Sequence, residues 1–149
     1  MIVRRLPLPP IIYATIDLCF ASYLPIDALN EIIGLQATEA APRSAMRINP
    51  LTGKQNPGYW IYKLPPMRDF DSMDLTEQLN MVLTEHETGF RKAMQKYEPA
   101  ELILRFYTEA QEARQFPSVS LSSDMIRTAA SLGARVEVIT ECYCCEEPE

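Results

Sequence analysis

The sequence is poor in the residue types on which most enzyme and cofactor sites depend. It has one histidine and five glycines in 149 residues, and the glycines form neither a G-x-G nor a G-K-[ST] motif. A phosphate or dinucleotide loop is therefore excluded. The histidine, His86, lies between Leu83 and Phe90 on an apolar helical stripe, so a histidine base would have to sit in a core helix. We expect no catalytic residues, no cofactor and no enzyme activity.

Cysteine is also scarce, and its spacing does not indicate a disulfide framework. Cys19 stands alone, whereas Cys142, Cys144 and Cys145 cluster near the C-terminus. Cys142 and Cys145 have C-x-x-C spacing, but a tetrahedral zinc site usually needs a second such pair. We expect no metal site. The cluster is read as unreactive thiols, with a reactive or intermolecular thiol as the alternative.

The sequence lacks a membrane-spanning segment and a net positive charge. Arg4 and Arg5 precede an apolar stretch that resembles a secretory signal, but Pro7, Pro9 and Pro10 interrupt it. No apolar run reaches the roughly 18 residues of a membrane span. Asp and Glu number 20 against 14 Lys and Arg, a net charge of -6, which disfavours nucleic acid and anionic membranes as partners. We expect a cytoplasmic protein.

What is present is a normal globular composition, 47% hydrophobic and 23% charged. It predicts a single domain over residues 1–149, with a core at 13–143, a proline-rich N-terminal arm and an acidic, cysteine-containing tail. Alternating apolar residues predict strands, and apolar residues spaced three and four apart predict helices. The strands are predicted at 13–23, 59–64, 101–111, 116–121 and 135–143, and the helices at 25–34, from Asp74 to Pro99, and from 122 to 133.

The predicted element order is β-α-β-α-β-β-α-β. Strands with one apolar and one polar face are typical of a mostly antiparallel sheet covered on one side. The fold class is therefore α+β, a two-layer sandwich in which helices pack on one face of about five strands. Residues 36–58 form a long irregular segment, interpreted as a solvated loop, and a functional loop is the alternative. If that loop crossed the open face of the sheet, the binding surface would move to the loop and the C-terminal edge.

The uncovered face of this sheet is the candidate binding surface. Tyrosines on it would supply affinity, and carboxylates near the C-terminus would attract a basic partner. The alternative is that the acidic residues serve only solubility. The candidate partner-binding residues are Asp17, Tyr59, Lys63, Arg105, Tyr107, Glu137, Glu141, Tyr143, Glu146 and Glu147.

Three segments resemble one family when taken in order. The first is LPIDALNEIIGLQAT at 24–38, the second is Gly58-Tyr-Trp60, and the third is FPSVSLSSDMI at 116–126 with its Leu132-Gly133 helix exit. Together they are similar to the bacterial domain-of-unknown-function family DUF4279. The resemblance implies a fold but no catalytic residues. Small stand-alone members look like proteins encoded beside polymorphic toxins, which implies an immunity protein.

Two functions of different classes follow. The first is a non-enzymatic immunity protein that blocks the active or substrate site of a cognate toxin with a basic site. It would be a monomer in the complex, and a homodimer is left open for the free protein. The second is a housekeeping structural or regulatory module that dimerises through the sheet face or an edge strand. An enzyme that uses the C-terminal thiols ranks last.

Overall fold

The chain folds into a β-sheet, and helices connect several of its strands along the sequence. The structure is a computed structural model, and it describes residues 11–23, 25–42, 57–66, 72–110 and 118–142. In chain order the elements are β1 (Ile11–Phe20), α1 (Ile26–Ile33), β2 (Glu39–Ala41), β3 (Gly58–Lys63), α2 (Ser72–Glu85), α3 (Glu87–Lys96), β4 (Ala100–Ala110), α4 (Ser123–Leu132) and β5 (Arg135–Cys142).

β1 lies at the centre of the sheet. The strand order within the described residues is β2-β3-β1-β4-β5. β1 pairs antiparallel with β3 and β4, and β2 pairs antiparallel with β3. Among the described strands, only β4 and β5 pair in parallel, because the connection through α4 returns the chain to the same end of the sheet. The predicted α+β class, the mostly antiparallel sheet of five strands and the helices on one face are confirmed.

The alternation in the sequence sets which face of each strand is buried. In β1 the even-numbered residues from Ile12 to Phe20 are at most 1% exposed and belong to the core beneath the helices. Trp60 on β3 and Leu104 and Phe106 on β4 point to the same core, as the alternation predicts. Apolar side chains of α2, α3 and α4 complete it, including Leu79, Phe90 and Met125.

The predicted ends of two helices are confirmed. The side chain of Ser122 accepts a hydrogen bond from the backbone N–H of Met125 at 3.1 Å, so it caps the first turn of α4. Gly34 and Gly133 follow α1 and α4 in the left-handed conformation, with φ of 84° and 64°. Glycine adopts this conformation at no steric cost, which explains why both helices end there.

The long helix predicted from Asp74 to Pro99 is two helices. α2 already begins at Ser72, and the chain breaks at His86 before α3 continues to Lys96. His86 has φ of -110° and ψ of 16°, outside the helical range. The apolar spacing continues on both sides of the break, so the periodicity alone could not reveal it. The cause is tertiary, because Nδ1 of His86 lies 3.0 Å from the carbonyl of Ile33 at the end of α1.

The predicted strand at 116–121 is also wrong over its described part. Residues 118–121 are not a strand, and 116–117 lie outside the described residues. The fifth strand is instead β2, inside the segment predicted as a loop. Three residues are too few to show a periodicity, and β2 exists because it pairs with β3. The observed order is therefore β-α-β-β-α-α-β-α-β. Within the described residues, no helix is both long and apolar enough to cross a membrane.

Candidate functional site

The side of the sheet on which none of the described helices packs, called here the outer face, contains the predicted binding residues. Asp17, Lys63, Arg105 and Glu137 belong to this side, because β1 pairs Thr15 with both Lys63 and Arg105, and β4 pairs Arg105 with Glu137. Tyr59, Tyr107 and Glu141 follow by the alternation of the same strands. Tyr143, Glu146 and Glu147 lie outside the described residues. Every predicted residue that the structure describes therefore lies on one face.

A chain of ion pairs crosses the outer face from β1 to β5. Arg105 Nη1 donates to Asp17 Oδ2, and Arg105 Nε donates to Glu137 Oε2 at 2.9 Å. Arg135 extends the chain, contacting Glu137 Oε1 at 3.0 Å and Glu101 Oε1 at 3.2 Å. These contacts bring together three of the predicted residues and tie the neighbouring strands β1, β4 and β5 to one another.

The centre of this network is removed from water. Asp17 is 1% exposed, and its second oxygen, Oδ1, has no hydrogen-bond partner among the described residues. Burial would lower the pKa of Arg105, but hydrogen bonds and charges of Glu137 and Asp17 outweigh it, so that its pKa is raised. The hydrogen bond from Arg105 lowers the pKa of Glu137 against the opposing effect of burial, and the charges of Arg135 and Arg105 lower it further. Arg105 is therefore a fixed cation, and its removal would leave Asp17 buried without a counter-charge.

Beside the network lies an aromatic pair. The rings of Tyr13 and Tyr107 stack with centroids 4.7 Å apart and planes 9° from parallel. Nζ of Lys63 lies 4.3 Å from the centroid of the Tyr13 ring, a cation–π distance. Tyr107 and Lys63 were predicted site residues, whereas Tyr13 was not. Its position in β1 predicts the correct face, but only the pairing of β1 with β4 shows that it meets Tyr107.

Two carboxylates lie side by side at the end of this aromatic pair. Glu109 on β4 is in register with Glu141 on β5. The hydroxyl of Tyr13 donates to Glu109 Oε1 at 3.4 Å. Burial, followed by the charges of Glu109 and Glu141, raises the pKa of Tyr13 to about 12. No ion pair joins either glutamate to another described residue. Like charges placed side by side on neighbouring strands cost stability.

The same end of the outer face contains a shallow cavity of about 200 Å³. Thr15 lines it, and the Thr15 hydroxyl is buried without a partner among the described residues. The remaining lining residues are Tyr13, Thr38, Glu39, Ile61, Lys63 and Tyr107.

Other predicted features are separate from this group. Tyr59 pairs with Cys19 near the opposite end of β1, so it does not join the stacked tyrosines. Burial raises the pKa of the Cys19 thiol, which reduces its thiolate content. Cys144, Cys145 and the basic residues Arg43, Arg47 and Lys54 lie outside the described residues. Among the residues that are described, no group of three or more His, Cys, Asp or Glu could hold a metal ion.

The described residues thus define an α+β domain with a mixed, open sheet, whose helix-free face combines an ion-pair network with stacked tyrosines. The family described as Domain of unknown function (DUF4279) matches residues 11–143, and the chain belongs to this family. No curated protein and no solved structure matches the chain. The family assignment made from the three sequence motifs is confirmed.

Proposed function

We propose that this chain is a cytoplasmic, non-enzymatic binding protein that neutralises a bacterial toxin by covering the toxin's active or substrate site. The observation that carries the proposal is the pair Glu109 and Glu141, which lie side by side next to the stacked rings of Tyr13 and Tyr107. This arrangement suits a basic protein side chain, which would neutralise both carboxylates and pack along the tyrosine rings.

The electrostatics of Glu109 and Glu141 favour a role in binding a partner over a role in stabilising the fold. Two adjacent carboxylates disfavour the folded protein on their own, and they also disfavour the tyrosinate form of Tyr13. An arginine or lysine from a partner would turn this unfavourable contact into charge-assisted hydrogen bonds. The Arg105 network differs, since its charges are already paired within the chain.

The tyrosines account for affinity, and the carboxylates account for association rate. Aromatic residues dominate the energetic centres of protein interfaces, and complementary charge mainly accelerates encounter. A toxin with a basic substrate site, such as a nuclease, fits this division. The sequence predicts no catalytic residues, which agrees with inhibition by occlusion.

The test uses the product of the neighbouring gene as the partner. We expect the two proteins to copurify as a complex and expression of this chain to protect cells from that product. The double variant Glu109→Gln/Glu141→Gln should lower the association rate by about tenfold at low salt, as expected for loss of electrostatic steering. Surface plasmon resonance measures this rate.

The matched control is Glu31→Gln/Glu85→Gln, which removes the same charge from exposed positions on α1 and α2. Its association rate should stay close to that of the wild type. Equal losses in both double variants would indicate only an effect of net charge. If nothing copurifies and cells are not protected, toxin neutralisation is wrong.

A further inference from the structure

Among the described residues, the outer edge of β5 combines an unpaired backbone with an apolar flank. β5 runs from Arg135 to Cys142 at the end of the strand order, and no described strand pairs with its outer edge. A strand at such an edge presents unpaired N–H and C=O groups that can pair with another strand. The opposite edge strand, β2, has only three residues. The long edge of the sheet is therefore β5.

The helix side of this edge leaves apolar side chains in water. Val138 is 52% exposed and Val136 37%, and the neighbouring Ile126 on α4 is 54% exposed. Val136 and Ile126 also line an apolar groove of about 290 Å³ between α4 and β5. The valines lie on the strand face that is buried in β1 and β4, so a further strand beside β5 would place its own side chains against them on that face.

We infer that a second copy of this chain occupies the edge, with β5 of the two copies antiparallel about a two-fold axis at Val138. This register places Arg135 of each copy opposite Glu141 of the other. Val138 then meets its own symmetry mate, and Val136 lies opposite Thr140. Opposite charges and β-branched residues are favourable cross-strand pairs. Because the two-fold axis relates the two copies, each dimer contains the pair of Arg135 with Glu141 twice.

The charges select this register over its neighbours. If every side chain is to stay on its own face, one strand can slip against the other only by two residues at a time. Each slip moves the two-fold axis by one residue along β5. A shift in one direction places Glu137 opposite its own symmetry mate. A shift in the other direction places Glu137 opposite Glu141, again in duplicate. Both alternatives oppose carboxylates, whereas the register centred on Val138 pairs carboxylate with guanidinium.

Charge reversal with rescue tests the register directly. The wild type should show twice the chain mass of 17.0 kDa in light scattering at about 100 μM. Arg135→Glu and Glu141→Arg should each raise the dimer dissociation constant about tenfold or more, because two favourable pairs become two like-charge pairs. The double variant Arg135→Glu/Glu141→Arg should restore the wild-type constant.

A second variant distinguishes dimerisation through the edge of β5 from binding at the outer face. Val138→Lys should give a monomer, since an edge lysine opposes pairing and loses the apolar contact. Met81→Lys, on a 69% exposed position of α2, is the matched control and should leave the dimer intact. Val138 lies on the opposite side of the sheet from Glu109 and Glu141, and a monomer leaves Glu141 without Arg135 of a second copy, so Val138→Lys should keep the binding of a toxin partner.

Thermal unfolding identifies any variant that has lost its fold. This control matters for Arg135→Glu, which also removes the contacts of Arg135 with Glu101 and Glu137. A monomeric wild type at 100 μM would overturn the inference. So would a dimer in which the folded charge-reversal variants and Val138→Lys associate like the wild type.

Discussion

At the scale of single residues, Asn30 connects three parts of the chain. It lies in α1, and its Oδ1 accepts hydrogen bonds from Trp60 Nε1 at 2.7 Å and from the backbone N–H of Ala37 at 3.1 Å. Trp60 is fully buried, so its indole N–H has no access to water. Asn30 thereby supplies the acceptor that lets a tryptophan enter the core.

We expect Asn30→Leu to lower the free energy of unfolding by about 1–3 kcal/mol, because the indole N–H would remain buried without an acceptor. Asn30→Asp keeps an oxygen at the same position and should be closer to the wild type. Glu31→Ala, at the next and exposed position, is the control and should change stability by less than about 0.5 kcal/mol. Urea unfolding followed by the fluorescence of the single tryptophan measures all three. A neutral Asn30→Leu would show that another group satisfies the indole.

At the scale of elements, the break between α2 and α3 lets α3 approach α1 closely. Gly89 lies in the first turn of α3, against the C-terminal end of α1. A Cβ at this position would lie 2.6 Å from the carbonyl oxygen of Ile32 and 2.7 Å from that of Ile33. His86, at the break, lies within hydrogen-bond distance of the same Ile33 carbonyl. The two helices thus meet backbone to backbone, which only glycine permits here.

Gly89→Ala should therefore destabilise the protein by about 1–3 kcal/mol, the usual cost of overpacking, even though alanine favours helices more than glycine does. Thr88→Ala, at the exposed neighbouring position, serves as the control and should be nearly neutral or slightly stabilising. Thermal and urea unfolding give the comparison. A stabilised Gly89→Ala would mean that α1 and α3 are further apart than the structure places them.

At the scale of the whole molecule, the ion-pair chain on the outer face joins strands that are distant in sequence. Asp17, Arg105 and Glu137 come from β1, β4 and β5, and their contacts cross two strand boundaries. Because the Glu137 carboxylate has a pKa below its ordinary value of 4.5, the folded state favours its ionised form. The stabilisation is present above the unfolded pKa and disappears as pH falls through the folded pKa.

Stability should consequently fall as pH is lowered from about 5 into the acid range, and the slope should be shallower in Glu137→Gln. The glutamine variant cannot take up a proton at this site, so its difference from the wild type should shrink as acid protonates the wild-type carboxylate. Gln78→Ala, an exposed change on α2 without a titratable group, should retain the wild-type slope. Unfolding midpoints between pH 3 and 7 provide the data. Parallel curves for Glu137→Gln and the wild type would contradict the role of this carboxylate.

The local patterns predicted most of the fold and one part of the site. Alternation identified four of the five described strands and the face of each, which is why Asp17, Lys63, Arg105 and Glu137 were correctly predicted to lie on one face. Tyr13 and Glu109 were missed as site residues, because their significance depends on which strands are neighbours. The break at His86 and the strand β2 were missed for the same reason, since both depend on contacts with distant residues.

The sequence by itself determined the α+β class, the buried and outer faces of the strands, and the glycines that end α1 and α4. These features depend on periods of two and 3.6 residues and on backbone preferences, all of which are local. Only the tertiary structure decided the strand order, and with it the stacking of Tyr13 on Tyr107 and the placing of Glu109 beside Glu141. Strand pairing is a contact between segments far apart in the chain, so no local pattern specifies it. The composition shows only that the chain is acidic. The pairing of β1, β4 and β5 decides which carboxylates lie together on one surface.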